Sequence, residues 1–272
     1  MNWKHYALAL IVLLSACAAG ANDNALWQRS TLNQIIKKGE LRVGLEPGYA
    51  PFEMLDKEKR VVGFDVDIAR EMAKAMGVKL KLIQLDWNGI LPALLTNQFD
   101  IIISGMTITA QRNLWINFTN PYMTVGQTIL VRKKLARKIK SYRDLNSPRY
   151  TVTTKPGTTG LEAIKRLIPK AKLRLMESGW EAVREVAEGR VDAFVYDLPF
   201  NSVAYGRYKK KLGFISQPFT QERLGWGVRK GDPDFLNWLN HFLAQMKVDG
   251  RYEAIYDRWF KSASWQKNVK FK

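Results

Sequence analysis

The sequence predicts an α/β protein with two lobes, each a mainly parallel sheet flanked by helices. Short apolar runs alternate with segments of helical periodicity, which is typical of parallel strand–helix units. This alternation occurs once in each half of the chain. Two further strand-like runs, 125–134 and 224–231, connect the halves. We therefore predict a discontinuous first domain, 25–128 plus 224–272, and an inserted second domain, 129–223, joined by two hinge strands.

The elements of the first domain follow from periodicity. Phe64, Ile68, Met72 and Met76 recur at helical spacing, and Gly77 is a natural end for that helix. The predicted strands are 41–45, 78–83 and 99–104, and a second predicted helix is 89–97. One more amphipathic helix near the C-terminus completes this domain. Its apolar face consists of Leu236, Leu239, Phe242, Leu243 and Met246, and the run 251–260 follows it.

The second domain shows the same alternation of strands and helices. Its predicted strands are 150–154, 172–176 and 191–196, and its first predicted helix is 160–168. Ser178 and Glu181 have the spacing of a capping box, which predicts the start of a second helix that ends at Gly189.

Residues 1–21 have the layout of a secretory signal peptide, with Lys4, an apolar run and then small residues. The apolar run is shorter than the roughly 20 residues needed to span a bilayer. Residues 14–17 resemble a lipobox, in which Cys17 becomes the lipidated first residue, and cleavage after Ala21 is the alternative. Both predict an exported protein of the periplasm or cell envelope. With a single cysteine, the chain is not held by disulfides.

The chain is strongly basic, with a formal net charge of +18. Such a charge is compatible with binding to nucleic acid or to an anionic membrane surface. The basic residues are scattered, with local clusters only at 133–140 and 209–211. Scattering and export argue against nucleic acid and favour a solvated basic face beside anionic lipid.

The residue types of the common hydrolytic and metal mechanisms are scarce. Beyond the signal peptide the sequence has one histidine, His241, and at most one cysteine, Cys17. A Ser-His-Asp set, a zinc site or a cysteine nucleophile cannot be assembled from these, and no glycine-rich nucleotide motif occurs. Asp65 and Asp67 form a carboxylate pair, but capping explains acids at a helix start. We therefore predict no cofactor and no metal.

Polar residues follow the predicted buried strand 99–104, at a strand end where open α/β sheets bind ligands. Arg112 presents a planar fork that pairs with a carboxylate through two bonds. Gly105 permits close approach to the backbone, and Thr107 adds a hydroxyl group. The alternative is that Arg112 lies on a helix surface and Thr109 is only an N-cap. The local sequence leaves both interpretations open.

The second domain offers a complementary set of polar groups. Gly157, Thr158 and Thr159 precede a predicted helix, whose free N–H groups attract an anion, although an ordinary turn explains these residues as well. Asp197 ends a predicted strand, where an acid that faces a cleft accepts an ammonium group. An arginine from one domain, with amide donors and an aspartate from the other, provides what an α-amino acid needs.

A series of motifs resembles the bacterial extracytoplasmic solute-binding proteins of the polar amino-acid type (family 3), which serve ABC importers. The motifs are LRVGLEPGYAPFEM, GFDVDIAREMAKAMG, DWNGILPAL, FDIIISGMTITAQR, FTNPY, KPGTTG, VDAFVYD and YDRWF. Each is weak alone, but their order and spacing are specific. The resemblance implies the two-lobed type II periplasmic-binding-protein fold, and a monomer that closes on a free amino acid and delivers it to a membrane permease.

The resemblance also implies roles at particular positions. Arg112 clamps the ligand carboxylate, with Thr107 and the Gly105 backbone beside it. The latter two are also close to the ligand ammonium group. Thr158 and Thr159 contact the carboxylate from the second domain.

The remaining implied contacts involve the α-ammonium group and the ligand side chain. Asp197 binds the α-ammonium group. Tyr49 and Trp87 sandwich the side chain, although aromatic residues often only pack a core. Glu46 matches an acid that reaches the distal cation of lysine, arginine or ornithine, and Ser104 adds a polar contact. We therefore predict a cationic ligand, with lysine or arginine first.

Three alternatives accompany this prediction. If Glu46 is a solvated loop acid, the ligand is glutamine or another polar amino acid. An exported cyclohexadienyl dehydratase resembles this chain and uses a glutamate shortly after the second-domain aspartate as general acid. Residues 198–200 hold no acid, so we predict that the protein is not an enzyme. A sensing role, with a receptor in place of the permease, fits the sequence equally well.

Overall fold

The computed structural model describes residues 27–271 and forms two lobes, each containing one five-stranded sheet. The predicted signal peptide, 1–21, and the predicted lipidation site, Cys17, lie outside the described residues. Within the described part of the chain, no helix is both long and apolar enough to cross a membrane.

Strands and helices alternate along the chain. The strands are β1 Glu40–Leu45, β2 Met54–Leu55, β3 Val61–Val62, β4 Lys79–Gln84, β5 Ile101–Ile102, β6 Ile116–Phe118, β7 Met123–Val125, β8 Gln127–Arg132, β9 Thr151–Thr154, β10 Lys172–Leu175, β11 Ala193–Asp197, β12 Leu212–Ile215, β13 Glu222–Leu224 and β14 Gly227–Arg229. The α-helices are α1 Thr31–Lys38, α2 Phe64–Met76, α3 Trp87–Leu95, α4 Ala110–Asn113, α5 Thr159–Leu167, α6 Gly179–Ala187, α7 Leu198–Tyr208, α8 Pro233–Val248 and α9 Arg251–Tyr256.

The first sheet has the strand order β4-β1-β5-β14-β6 and defines the first lobe. β4, β1 and β5 pair in parallel, with Val43 opposite both Leu82 and Ile101. β14 runs antiparallel to its two neighbours. Four strands therefore point the same way. Glu46 and Ser104 lie just beyond the carboxyl ends of β1 and β5.

The second sheet has the order β10-β9-β11-β8-β12 and defines the second lobe. β10, β9 and β11 are parallel, and β8 alone is antiparallel to its neighbours. The carboxyl ends of β9 and β11 carry Lys155 and Asp197. The predicted fold, two lobes with mainly parallel sheets, is confirmed.

Two short antiparallel strands, β7 and β13, connect the lobes and pair with Val125 opposite Glu222. The predicted single strands over 125–134 and 224–231 are wrong in detail, because each run is broken at a glycine. At Gly126 an added Cβ would lie 2.2 Å from the carbonyl oxygen of Thr220.

The reversed strand of each sheet, β8 or β14, is the one that follows a hinge strand. A strand that enters a lobe at the cleft runs away from the cleft, and therefore opposes its parallel neighbours. Because these crossings lie at the junctions, we retain 25–128 plus 224–272 and 129–223 as the proposed domain bounds.

Helix ends show one confirmed and one wrong prediction. α2 ends at Gly77, which has a left-handed φ of 67° and donates to the carbonyls of Ala73 and Lys74. The capping box at Ser178 is not formed, since its side chain makes no cap hydrogen bond to α6. Ser178 instead lines the cleft between the lobes.

The C-terminal helices complete the first lobe. The apolar face of α8 packs there as predicted, with Leu239, Phe242, Leu243 and Met246 buried and Leu236 partly buried. Beyond α9, the Trp259 indole donates to Asp67 at 2.8 Å. The chain end is therefore fixed to α2, on the body that carries half of the cleft.

Candidate functional site between the lobes

All ten residues that the sequence predicts for the ligand site line one cavity between the lobes. They are Glu46, Tyr49, Trp87, Ser104, Gly105, Thr107, Arg112, Thr158, Thr159 and Asp197. The cavity lies at the carboxyl ends of parallel strands from both sheets, the position at which open α/β sheets bind ligands. Their common location is an observation, whereas their role in binding a ligand stays a prediction.

Arg112 points its guanidinium group into this cavity. Its two terminal nitrogens donate to the carbonyls of Thr107 at 2.8 Å and Gly157 at 3.0 Å, and the guanidinium carbon lies 5.3 Å from the Trp87 ring centroid. Thr109 is also the N-cap of α4, accepting from the Arg112 N–H. The N-cap interpretation of Thr109 is therefore confirmed, whereas carboxylate binding by Arg112 stays a prediction.

The charge of Arg112 is not balanced by direct pairing. Among residues 27–271 no carboxylate forms a salt bridge with this side chain. Burial lowers the pKa of the guanidinium group from its ordinary value, yet an arginine stays charged in proteins. A partly buried fork with only carbonyl partners is suited to bind a carboxylate.

Asp197 stands on the second-lobe side and is buried. Its carboxylate accepts hydrogen bonds from the Tyr49 hydroxyl at 2.5 Å and from Gln127 Nε2 at 2.6 Å. Burial raises the pKa of Asp197 to about 7, against the lowering effect of the Tyr49 bond. An ammonium group near this carboxylate would restore its charge.

The threonines of the second lobe differ in their partners. Thr158 caps α5 by accepting from the Leu161 N–H at 3.4 Å, and its hydroxyl donates to the Lys155 carbonyl at 2.7 Å. The Thr159 hydroxyl lies 3.5 Å from the Thr107 hydroxyl across the cleft. Thr158 therefore shapes the turn, whereas Thr159 reaches the other lobe.

Gly105 has a structural reason to be glycine. Its φ is +52°, and an added Cβ would lie 2.2 Å from Cε1 of Tyr49. Its N–H donates to Asp65 at 2.8 Å, which also accepts from the Tyr122 hydroxyl at 3.1 Å. The packing of Tyr49 thus requires this glycine whether or not a ligand approaches.

Tyr49 and Trp87, the predicted aromatic walls, both contact other residues of the protein. Tyr49 stacks on Phe52, with ring centroids 4.7 Å apart. The Trp87 indole donates to the Gly157 carbonyl at 2.9 Å, and Lys155 Nζ lies 5.8 Å from its ring centroid. Tyr49 and Trp87 therefore connect the lobes as well as lining the cavity.

Glu46 is not the solvated loop acid of the alternative interpretation. Its side chain is 20% exposed and forms an ion pair with Lys155 of the second lobe. Burial raises the pKa of Glu46, and the nearby Lys155 opposes that rise. The Ser104 hydroxyl accepts from the Glu46 N–H at 3.1 Å and donates to Glu53 at 2.6 Å.

Sequence reasoning missed four residues of this region. Glu53, Gln127 and Tyr196 also line the cavity, and Lys155 pairs with Glu46. Glu53 and Lys155 occur inside quoted motifs, GYAPFEM and KPGTTG, but nothing in the sequence shows their partners. Burial and the nearby Asp65 raise the pKa of Glu53 well above its ordinary value.

The carboxylates outside the cavity have structural partners. Asp65 holds Gly105 and Tyr122, whereas Asp67 accepts from Arg70 at 2.6 Å and from Trp259. Asp65 and Asp67 therefore do not act as a pair. No group of three or more His, Cys, Asp or Glu side chains between residues 27 and 271 is arranged to hold a metal ion.

Comparison with known proteins places this architecture among ligand-binding proteins. The sequence profile of "Bacterial extracellular solute-binding proteins, family 3" matches residues 41–262. The chain is similar to the crystal structure of a binding component of an ABC transporter from Wolinella succinogenes complexed with lysine, with 55% identity and a TM-score of 0.83, covering 85% of this chain and 100% of that one.

Two further similarities mark the range of relatives. An ancestral amino acid-binding protein, a precursor of cyclohexadienyl dehydratase, is 48% identical with a TM-score of 0.81, over 85% of this chain and 100% of that one. The glutamine-binding protein of an ABC transporter from Bacillus subtilis is 31% identical over 272 residues, which are 95% of this chain and 97% of the relative.

Proposed function

Since the chain belongs to the bacterial extracellular solute-binding proteins, family 3, we propose that it captures a cationic L-amino acid for an ABC importer. Lysine and arginine are the first candidates, followed by ornithine. One observation supports this most directly: Arg112, without a carboxylate partner in the described chain, and the buried Asp197 line the same cavity. These groups are complementary to the two charges of a zwitterion.

The ligand docks first on the first lobe, through Arg112 and the aromatic residues Tyr49 and Trp87. Closure about β7 and β13 then brings Thr159 and Asp197 onto it. Burying both ends of a zwitterion is costly unless each charge is paired. The proposed order therefore couples ligand capture to closure, since each lobe supplies one of the charged partners.

The side-chain end of the cavity supports a cation through Glu46, and the similar structure from Wolinella succinogenes contains lysine. One observation favours a second candidate, a neutral polar amino acid such as glutamine. Lys155 already pairs with Glu46, so the local charge is balanced before a ligand arrives. The glutamine-binding relative from Bacillus subtilis is consistent with this candidate.

We propose that the protein acts by binding rather than by catalysis. The general acid that a cyclohexadienyl dehydratase needs after the second-lobe aspartate is replaced here by Leu198, Pro199 and Phe200. We further propose export to the periplasm or cell envelope, attachment through a lipidated Cys17, and delivery of the ligand as a monomer to a membrane permease. A receptor in place of the permease would use the same closed form.

A thermal-shift screen of the protein without residues 1–21 tests this function. The ligands are the twenty amino acids, ornithine and prephenate, and a ligand that binds only the folded state raises the melting temperature. Shifts confined to lysine, arginine or ornithine would support the proposal. A shift with glutamine alone would establish the second candidate, a shift with prephenate would revive the enzyme, and Arg112→Ala is the control that should lose every shift.

A further inference from the structure

Glu46 and Lys155 form the one ion pair that joins the two lobes within residues 27–271. Glu46 follows β1 in the first lobe, and Lys155 follows β9 in the second. The Lys155 side chain is 5% exposed, and its backbone carbonyl is fixed by the Thr158 hydroxyl. A charged side chain this deeply buried needs its partner, because an unpaired ammonium group loses its hydration without compensation.

The Glu46–Lys155 ion pair lies between the ligand cavity and a second, outer cleft. Glu46 lines both the ligand cavity and a larger outer cleft, whereas Lys155 lines the outer cleft alone. Asp86 and Glu177 line the same outer cleft, and their charges act on Glu46. Glu46 is therefore approached by Lys155 from outside and by the distal end of a ligand from inside.

We propose that Lys155 is a specificity-determining residue: it is the internal counter-ion of Glu46, and it weakens the preference of the cavity for cationic over neutral amino acids. This inference rests on the proposed function and names the residue that sets its selectivity. Lys155 pairs with Glu46 from the side of the outer cleft and so competes with a ligand cation for the same carboxylate.

The selectivity follows from electrostatics. A cationic ligand must share Glu46 with Lys155 or displace it, and two ammonium groups near one carboxylate repel each other. When displaced, Lys155 finds acids in the outer cleft at Asp86 and Glu177. A neutral side chain leaves the Glu46–Lys155 pair intact. Lys155 therefore disfavours cations relative to neutral ligands, while its contribution to closure is common to both.

The variant Lys155→Met keeps an unbranched side chain that is shorter by one atom, and it removes the charge. The affinities of lysine and glutamine are measured by calorimetry for the wild type, for Lys155→Met and for Lys270→Met. Lys270 lines the same outer cleft, so its variant controls for the loss of one positive charge. We expect the lysine-to-glutamine affinity ratio to rise at least about tenfold in Lys155→Met and to change less than about twofold in Lys270→Met.

The lysine-to-glutamine affinity ratio is insensitive to a general loss of closure, because such a loss weakens the binding of both ligands. A ratio that stays constant or falls in Lys155→Met would overturn the inference. If the wild type binds only neutral amino acids, the proposed function fails by itself. The inference is then supported by a gain of lysine binding in Lys155→Met and overturned if no gain occurs.

A second measurement tests the pair without any ligand. The melting temperatures of Glu46→Gln, Lys155→Met and the double variant form a double-mutant cycle with the wild type. We expect each single variant to melt below the double variant, because each leaves one charge without its partner. Additive effects would show that the two side chains are independent in the ligand-free protein and would overturn the counter-ion role.

Discussion

The two ends of the interlobe cavity differ in how their charges are paired. At one end, Arg112 holds only carbonyl oxygens, and Asp197 holds only the neutral donors Tyr49 and Gln127. At the other end, Glu46 already holds the opposite charge of Lys155. We call the first the unpaired end, because its charged groups lack the counter-ions that an amino acid backbone would supply. We call the second the balanced end, because the protein itself balances its charge.

This difference separates recognition of the ligand class from recognition of its side chain. Under the proposed function, contacts at the unpaired end involve the carboxylate and ammonium groups that every α-amino acid carries. Contacts at the balanced end depend on competition with Lys155. Substitutions at the first end should therefore change affinity for all amino acids, and substitutions at the second should change the ratio between ligands.

The largest effect is expected at Arg112. Arg112→Ala should weaken the binding of every amino acid by at least about 2 kcal/mol, or about 30-fold in affinity, because the ligand carboxylate is buried without its partner. Arg112→Lys, the matched control, keeps the charge without the planar fork. Its affinity should lie between those of the wild type and Arg112→Ala. Calorimetry with the ligand found in the screen measures both, and wild-type affinity in Arg112→Ala would refute the proposed carboxylate end.

The next effect concerns Asp197 and pH. Its pKa is raised to about 7 by burial, and an ammonium ligand favours the ionised carboxylate. Affinity should therefore fall as the pH drops below about 7, by up to about tenfold per pH unit. Asp197→Asn should bind at least about 30-fold more weakly at pH 8 and lose this pH dependence. A wild-type affinity that is flat between pH 5 and 8 would contradict this role.

The contribution of Asp197 to stability should depend on pH in the opposite direction to its contribution to affinity. A carboxyl whose folded pKa lies above its unfolded value stabilises the fold fully below the unfolded pKa, and this contribution is lost as the pH rises through about 7. Asp197→Asn stays neutral, so its ligand-free form should melt above the wild type at pH 8 and close to it at pH 4. A lower melting temperature at both pH values would contradict this expectation and would indicate that the Asp197 carboxyl holds Tyr49 in place in either protonation state.

Substitution of Glu46, at the balanced end, should change affinity less than substitution of Arg112 or Asp197, and it should act on lysine more than on glutamine. Glu46→Gln removes the acid that faces a ligand cation and should weaken lysine by about tenfold relative to glutamine. Because this change also strands Lys155, the absolute affinities are compared in the Glu46→Gln, Lys155→Met double variant. Equal losses for lysine and glutamine in that background would mean that Glu46 is a structural residue.

The sequence predicted more of the unpaired end than of the balanced end. Arg112 and Asp197 were identified by side-chain chemistry at strand ends, and that chemistry does not depend on the other lobe. The pairing of Lys155 with Glu46 joins residues 109 positions apart and depends on how the lobes close. No local pattern carries that information.

Other predictions were correct in position and incomplete in cause. Gly105 was expected to admit a ligand, but its left-handed φ and the Tyr49 ring already require glycine. The run 125–134 was located correctly, although the glycine at its break, Gly126, is required by the close approach of Thr220 in three dimensions. Periodicity thus locates elements, whereas their interruptions reflect neighbours that are distant in sequence.

The smallest effect on binding is expected at Ser104, which supports the balanced end from behind. Its hydroxyl donates to Glu53 at 2.6 Å and accepts from the Glu46 N–H at 3.1 Å. Ser104→Ala leaves these two groups without a partner, in a region where Glu53 is fully buried. We expect a loss of about 1–3 kcal/mol in the free energy of unfolding, measured by urea titration.

Lysine affinity in Ser104→Ala should fall about threefold, since Glu46 loses one backbone anchor and keeps its carboxylate. Glutamine affinity should stay constant, because Arg112 and Asp197 do not contact this hydroxyl. Ser178→Ala is the matched control: Ser178 makes no cap bond, so its unfolding free energy should change by less than about 0.5 kcal/mol. An equal loss of lysine and glutamine in Ser104→Ala would show that the two ends of the cavity are mechanically coupled, because a change confined to the balanced end would then reach the contacts that all amino acids share.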